Sequence, residues 1–288
     1  MKDRKILTIP RKTSISRKKI REAVRSVGKK KQPKIITFDI ETLAELPRVM
    51  KYLAGMSAYP GLTMKATHNT IICMGYKVLG DKKVNCINAW DYPKRWKKNV
   101  NDDKEVVKAI YEVLKDADGI IGHNSKRFDL KFINSRLVYH GLTPLPKIAH
   151  IDTCSVAKAK LFLFNNRLNT VAEHLGCDLK MQNGGWSLWE KVMVRNKTAQ
   201  STMTKYCKQD VEVTEQVFIK LRPLISGMPN YNLFSGTDSP VCPNCGGSRI
   251  VKDGTRVLPT KIEQRYRCND CGTRHGITKI KKLARAIV

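Results

Sequence analysis

Residues 242–247 read CPNCGG and residues 268–273 read CNDCGT, two C-x2-C pairs separated by 22 residues. Four thiolates at this spacing suit one tetrahedral Zn²⁺, and the glycines after each pair permit the tight turns that aim the sulfurs inward. Iron or a redox pair are the other chemistries open to the motif. With Cys242, Cys245, Cys268 and Cys271 filling all four positions, the expected zinc is structural and not catalytic. The stretch between them, SRIVKDGTRVLPTKIEQRYRC, alternates like a β-hairpin. So short a tract builds little core of its own, and metal binding is expected to supply much of its folding energy. The pairs therefore divide the chain into a small metal-held C-terminal unit and everything before it.

Everything before it must fold by hydrophobic burial. The 288 residues are 41% hydrophobic, enough for one sizeable core. Positive charge is the outlier, with 54 Lys and Arg against 25 Asp and Glu, a formal net charge of +29. That excess points to a polyanionic partner, nucleic acid before an acidic membrane surface. It is concentrated at the ends: 14 basic residues against 2 acidic in residues 1–34, and 11 against 3 in residues 240–288. No apolar run reaches the length of a spanning helix, and the basic start lacks the apolar region of a secretory signal. Five further cysteines scatter among apolar residues, a usage that fits a reducing, cytoplasmic compartment. No membrane association is expected.

The patterning predicts four parts: a basic N-terminal extension (1–33), a main domain (34–226), a linker (227–240) and the metal-bound unit with a basic tail (241–288). In the extension, Ile15, Ile20, Val24 and Val27 form a thin stripe on a short basic helix, and the stretch fits a solvated tail equally well. The main domain begins with KIITFDIET, where apolar residues alternate with Thr37, Asp39 and Glu41. After an irregular segment with Pro47, Pro60 and Gly61, two strands turn at Gly80 and Asp81. Helix and strand patterns then alternate, through DDKEVVKAIYEVLKDA, DGIIGHN, FDLKFINSRLVYHG, KIAHIDTCSVAK and RLNTVAEHLG, to a long last helix ending near Pro223. Consecutive strands followed by alternating helices and strands predict an α/β domain with a mixed sheet.

Asp39 and Glu41 lie two apart on a strand and so project from one face, a few ångströms from each other. Like charges that close repel unless something positive sits between them, and a divalent metal is the obvious candidate. An isolated D-x-E also fits an exposed acidic strand face, so the remainder of the chain must decide. Asp129 falls in the first turn of a helix after GHNSKRF, and Tyr206 and Asp210 are four apart, one turn from each other on a helix.

FDIET, GHNSKRFDLKFI and YCKQD, in that order and with their aspartates 90 and 81 residues apart, resemble the three motifs of the DEDD 3′–5′ exonucleases of the ribonuclease H fold. Tyr206 four before Asp210 is the pattern of the tyrosine subfamily. HIDTC and RLNTVAEHLG are similar to the corresponding stretch of family B DNA polymerase proofreading domains. The resemblance covers residues 34–225 and implies a ribonuclease H-like mixed sheet flanked by helices. It implies two Mg²⁺ or Mn²⁺ ions, with Asp39 bridging both, Glu41 and Asp210 completing the shell of one, and Asp129 holding the other. Hard cations prefer oxygen ligands, in keeping with four carboxylates. Tyr206 would orient the attacking water, its ordinary pKa of about 10 making it a poor base. The C-terminal unit resembles the zinc ribbons of nucleic-acid proteins. Such ribbons also contact proteins, but the basic balance of this one favours nucleic acid.

Other residues carry weaker signals. Asn124 precedes the second motif and can hold backbone or substrate, while His123 beside it reads as a packing or hydrogen-bonding residue. Asp152 reads as the cap of the following helix. Trp186 and Trp189, in NGGWSLWEKV, suit stacking on unpaired bases or anchoring a loop. The expected activity is a metal-dependent exonuclease on unpaired 3′ ends, with single-stranded DNA as the natural substrate. The alternatives are a 3′–5′ exoribonuclease, a proofreading or recruiting subunit serving a DNA polymerase or another replication or repair protein, and an endonuclease on branched DNA.

Overall fold

A computed structural model describes residues 32–43, 70–182, 185–235, 241–259 and 261–279. The basic N-terminal helix and the segment with Pro47, Pro60 and Gly61 lie outside the described residues.

Strand β1 (Ile35–Leu43) pairs antiparallel with β2 (Thr70–Val78), which pairs antiparallel with β3 (Asn85–Asn88). On the other side of β1 lie β4 (Gly119–Gly122) and β5 (Ala149–Asp152), both parallel, giving the order β3-β2-β1-β4-β5. This is the expected mixed sheet, with the turn after β2 made at Gly80, whose φ of +95° suits glycine.

Helices cover both faces. Alternation along β1 sends Ile36, Phe38 and Ile40 to one face. There they join Val107, Ile110 and Leu114 of α2 (Lys104–Leu114) and Ile133 and Leu137 of α3 (Asp129–Tyr139) in one core. Preceding these is a one-turn helix, α1 (Pro93–Lys98), which buries Trp96. Ile35 faces the other way, meeting Ala157 of α4 (Thr153–Lys160), Val171 of α5 (Leu168–His174), and Val213, Val217 and Phe218 of α7 (Lys197–Leu221) in a second core. Full burial of one such side chain contributes about 1.5–3 kcal/mol. α7 starts at an Asn196 cap, whose side chain accepts from the Ala199 amide at 3.0 Å, and gives way to a 3-10 turn at Arg222–Leu224 containing Pro223. Between α5 and α7 lies α6 (Trp186–Met193), a helix that carries both Trp186 and Trp189 in place of a loop anchored by them. Leu188 and Val192, four apart and buried, were its signal.

A buried ion pair ties the first layer together. Arg136 of α3 donates to Asp103, just before α2, at 2.6 and 2.8 Å, and the Ile71 amide of β2 donates to the same carboxylate at 2.9 Å.

The C-terminal unit is a three-stranded antiparallel sheet of β6 (Ile250–Leu258), β7 (Lys261–Cys268) and β8 (Arg274–Lys279). The first two are the expected hairpin; β8 is an addition. The unit is fastened to the end of α7. Arg222 Nη2 donates to the Asn244 carbonyl at 2.7 Å, Asn244 Nδ2 returns a bond to the Arg222 carbonyl at 3.1 Å, and the Tyr231 amide donates to Pro243 at 3.0 Å. No described helix is long and apolar enough to cross a membrane.

Candidate functional site

The register of β1 opposite β2 places Asp39 across from Gly75 and Glu41 across from Cys73, both on the face covered by α7. From α7, Asp210 reaches the same point, and carboxylate oxygens of Asp39, Glu41 and Asp210 lie within 4.8 Å of one another. Asp129 opens α3 from the far side. Its Oδ1 accepts from the Ile40 amide at 3.2 Å, which anchors it on β1 between the other two acids of that strand. The four carboxylates singled out in the sequence thus converge, three as a tight group and Asp129 against the strand that carries two of them.

Burial is the main cause that raises the pKa of each. Asp39 is pushed well up by burial, then by Asp129, Glu41 and Asp210. Glu41 is raised to about 8 and Asp129 to about 6, burial leading in both. Asp210 is raised by burial against the opposing pull of Lys180. Lys180 Nζ stands 2.5 Å from Asp210 Oδ2, and Lys180 and Tyr206 both donate side-chain hydrogen bonds to this buried carboxylate. Crowded, buried acid oxygens whose mutual repulsion is already offset by one cationic side chain are a donor set that fits hard divalent cations.

Lys180 was missed by sequence reasoning. Its loop has no periodicity, and only the fold brings it to α7. Burial favours its neutral form, but Asp210 and Asp39 outweigh that and keep it charged. Its backbone is fixed by the Asn169 side chain, which accepts from the Lys180 amide at 2.9 Å.

Tyr206 stands one turn before Asp210. Trp189 meets its ring edge-on at 6.1 Å, and Lys180 Nζ lies 5.2 Å from the ring centroid. Burial, then Asp210 and Glu41, raise its pKa, so the hydroxyl keeps its proton and serves as a donor. Trp189 is therefore a packing anchor for Tyr206. The side chain of Trp186, on the first turn of α6, lies outside the described residues.

Asp152 caps α4, accepting from Cys154 and Ser155, and also holds the amides of Asn124 and Lys126 at 2.9 and 3.0 Å. It is a structural residue, as its sequence setting suggested. These bonds fix the loop at Asn124, whose φ of +61° lies in the left-handed region. His123 spends both ring nitrogens on the fold, at 2.9 Å from Thr153 Oγ1 and 2.9 Å from the Asn166 carbonyl. Asn124 lines a cleft of about 560 Å³ together with Lys158, Asn166, Arg167, Asn169 and Lys180. Through Lys180 this basic cleft adjoins the carboxylates.

In the C-terminal unit the four cysteine sulfurs also lie within 4.8 Å of one another. Cys242 and Cys271 are 3.7 Å apart, as are Cys245 and Cys268, close to the ~3.8 Å that tetrahedral Zn–S bonds of about 2.3 Å impose. The two knuckles repeat one geometry. Gly246 and Gly272, at φ +77° and +72°, return their amides to the carbonyls of Cys242 and Cys268 at 2.8 and 2.9 Å. This group can hold a zinc ion and the carboxylate group a hard divalent one.

A family model described as the RNase H superfamily matches residues 61–222, more than half of the chain. The match begins after β1, so Asp39 and Glu41 lie outside it. No curated protein matches. Among solved structures, the chain is similar to the family B DNA polymerase of the hyperthermophilic archaeon Pyrobaculum calidifontis. The TM-score is 0.48 and the identity 17%, over 79% of this chain and 31% of the polymerase.

Proposed function

The chain belongs to the RNase H superfamily, and from that premise we propose that it is a nuclease of the tyrosine-type DEDD class, a 3′–5′ exonuclease acting on unpaired 3′ ends of DNA. The observation that carries the reading is the meeting of Asp39, Glu41 and Asp210 within 4.8 Å, with Asp129 of α3 hydrogen-bonded to the strand that carries the first two and Tyr206 one turn before Asp210.

In this reading Asp39, Glu41 and Asp210 hold one Mg²⁺ or Mn²⁺, and Asp39 and Asp129 a second. Bound there, the cations supply charge that activates water and stabilises the leaving oxygen. Tyr206 Oη keeps its proton and orients the attacking water by hydrogen bonding, held in place by the edge of Trp189. Lys180 offsets the acid group while no cation is bound. The cleft beside it offers Lys158 and Arg167 to phosphates and Asn124 and Asn166 to bases or sugar. The C-terminal unit, read as a zinc ribbon on one structural Zn²⁺, adds a basic surface that strengthens nucleic-acid binding through counterion release.

The test is digestion of matched 5′-labelled DNA and RNA oligomers, single-stranded, recessed, and blocked at the 3′ end. Stepwise shortening of DNA from an unblocked 3′ end supports the proposal. Shortening of RNA alone transfers the reading to an exoribonuclease. A single internal cut insensitive to the 3′ block overturns the exonuclease assignment.

A further inference from the structure

On the same sheet face, next to the carboxylates, three cysteines meet from three elements. Asp39 lies opposite Gly75 and Glu41 opposite Cys73, and Gly75 lies in turn opposite Cys86. Residues paired directly across strands project to one face, so this face runs from acids on β1 to thiols on β2 and β3. α7 lays Cys207 over them, and sulfurs of Cys73, Cys86 and Cys207 lie within 4.8 Å of one another. Gly75 makes the approach possible: a Cβ there would stand 2.7 Å from the Cys207 carbonyl oxygen and 2.9 Å from Val211 Cγ2.

The sulfurs are not packed as plain apolar groups. The Gly75 amide donates to Cys207 Sγ at 3.0 Å, Cys207 Sγ lies 3.7 Å from the Asp39 carbonyl, and Cys86 Sγ lies 3.1 Å from Asn88 Oδ1. An amide donor aimed at sulfur is the kind of outer contact that orients and tunes a thiolate ligand. A disulfide suits the group less well. Cys73 and Cys86 are diagonal neighbours across the β2–β3 ladder, a relation with Cα atoms about 7–8 Å apart, at or beyond the reach of a bridge. Any single bridge also leaves the third thiol over. One soft cation uses all three, since metal–sulfur bonds of about 2.3 Å draw sulfurs to roughly 3.8–4.0 Å from one another.

We propose that Cys73, Cys86 and Cys207 form a binding site for one thiophilic d¹⁰ cation, Zn²⁺ or Cu⁺ by class, distinct from both the carboxylate group and the four-cysteine unit. Binding forms three metal–sulfur bonds and releases the thiol protons to solvent, with no change of oxidation state. Cys207, once ligated, no longer donates to the Asp39 carbonyl, so occupancy is felt by the backbone that carries the first carboxylate.

The test is titration of the full-length, metal-free, reduced protein with Cd²⁺, read by thiolate-to-metal charge-transfer absorption, to which carboxylate-bound cadmium contributes nothing. The expected band saturates at two equivalents in the unsubstituted protein and in Cys177→Ser, and at one in Cys86→Ser. Saturation at one equivalent in the unsubstituted protein, or at two in Cys86→Ser, overturns the proposal. Alkylation mapping gives a second reading that needs no variant. The second equivalent should shield Cys86, the accessible thiol of the three, and shielding confined to the four C-terminal cysteines overturns the site.

Discussion

Lys180 Nζ lies 2.5 Å from Asp210 Oδ2, inside a group of acids whose charges otherwise oppose one another. Removing one partner of a buried pair strands the other charge. Lys180 keeps a quarter of its side chain exposed, so screening reduces the cost. We expect Lys180→Met to lower stability in EDTA by about 1–3 kcal/mol, and saturating Mg²⁺ to recover most of it, because ligand binding to the folded state stabilises by mass action. Thermal melts with and without Mg²⁺ check this. Equal melting of variant and unsubstituted protein in EDTA would show that the pair carries no weight.

Arg136 and Asp103 make a more deeply buried pair, with side chains 4% and 1% exposed. Here no metal can substitute. Arg136→Met leaves Asp103 with only the Ile71 amide and His140 nearby, and the expected loss is about 3–5 kcal/mol in urea unfolding at any Mg²⁺ concentration. A loss below ~1 kcal/mol would contradict the view that this pair fastens α3 to the sheet.

Two partly buried histidines contribute to the acid sensitivity. His150 is held down to about pKa 4, chiefly by burial, and His123 is lowered for the same reason. The unfolded chain binds a proton near pH 6.5 that the folded chain refuses, so the histidines' contribution to stability is fully present above pH 6.5 and is lost as pH falls toward 4, while Glu41 and Asp129, with raised pKa values, act with the opposite sign when no cation is bound. His150→Gln should flatten the stability profile across that window, and an unchanged slope would assign the loss to other groups.

Which parts were legible in the sequence follows from periodicity. Asp39 and Glu41 share a face because strands repeat every two residues, and Tyr206 and Asp210 share one because a helix turns in 3.6. Cys242, Cys245, Cys268 and Cys271 were legible because their spacing is local. Lys180 was not, for it meets Asp210 from a loop without a pattern. Cys73, Cys86 and Cys207 were hidden for a different reason: two lie on neighbouring strands and one on the last helix, and only the register and the close approach at Gly75 unite them. β8, with Gly276 inside it, carries too weak a strand pattern to be seen.

The four-cysteine unit should depend on its metal. A strong thiol-compatible chelator is expected to release zinc and to erase hydrogen-exchange protection in β6, β7 and β8, while β1, β2 and β4 keep theirs, since their burial does not involve the metal. Retained protection in β7 after complete metal removal would mean the sheet stands without it.

Tyr206 separates orientation from metal holding. Tyr206→Phe keeps the ring that Trp189 packs against and removes only the donor. We expect turnover to fall about 10- to 100-fold with Mg²⁺ affinity unchanged. A matching loss of Mg²⁺ affinity would place the hydroxyl among the cation-holding groups instead.

The most direct measurement is a gel time course on a 5′-labelled single-stranded DNA oligomer, comparing the unsubstituted protein, Asp39→Asn and Asp210→Asn, each with Mg²⁺ and with EDTA. The expected result is a ladder shortening one nucleotide at a time from the 3′ end, seen only in the unsubstituted protein with Mg²⁺, and at least 100-fold slower in either variant. Full cleavage by Asp39→Asn, or cleavage unaffected by EDTA, would contradict the assignment of these carboxylates as the catalytic metal site.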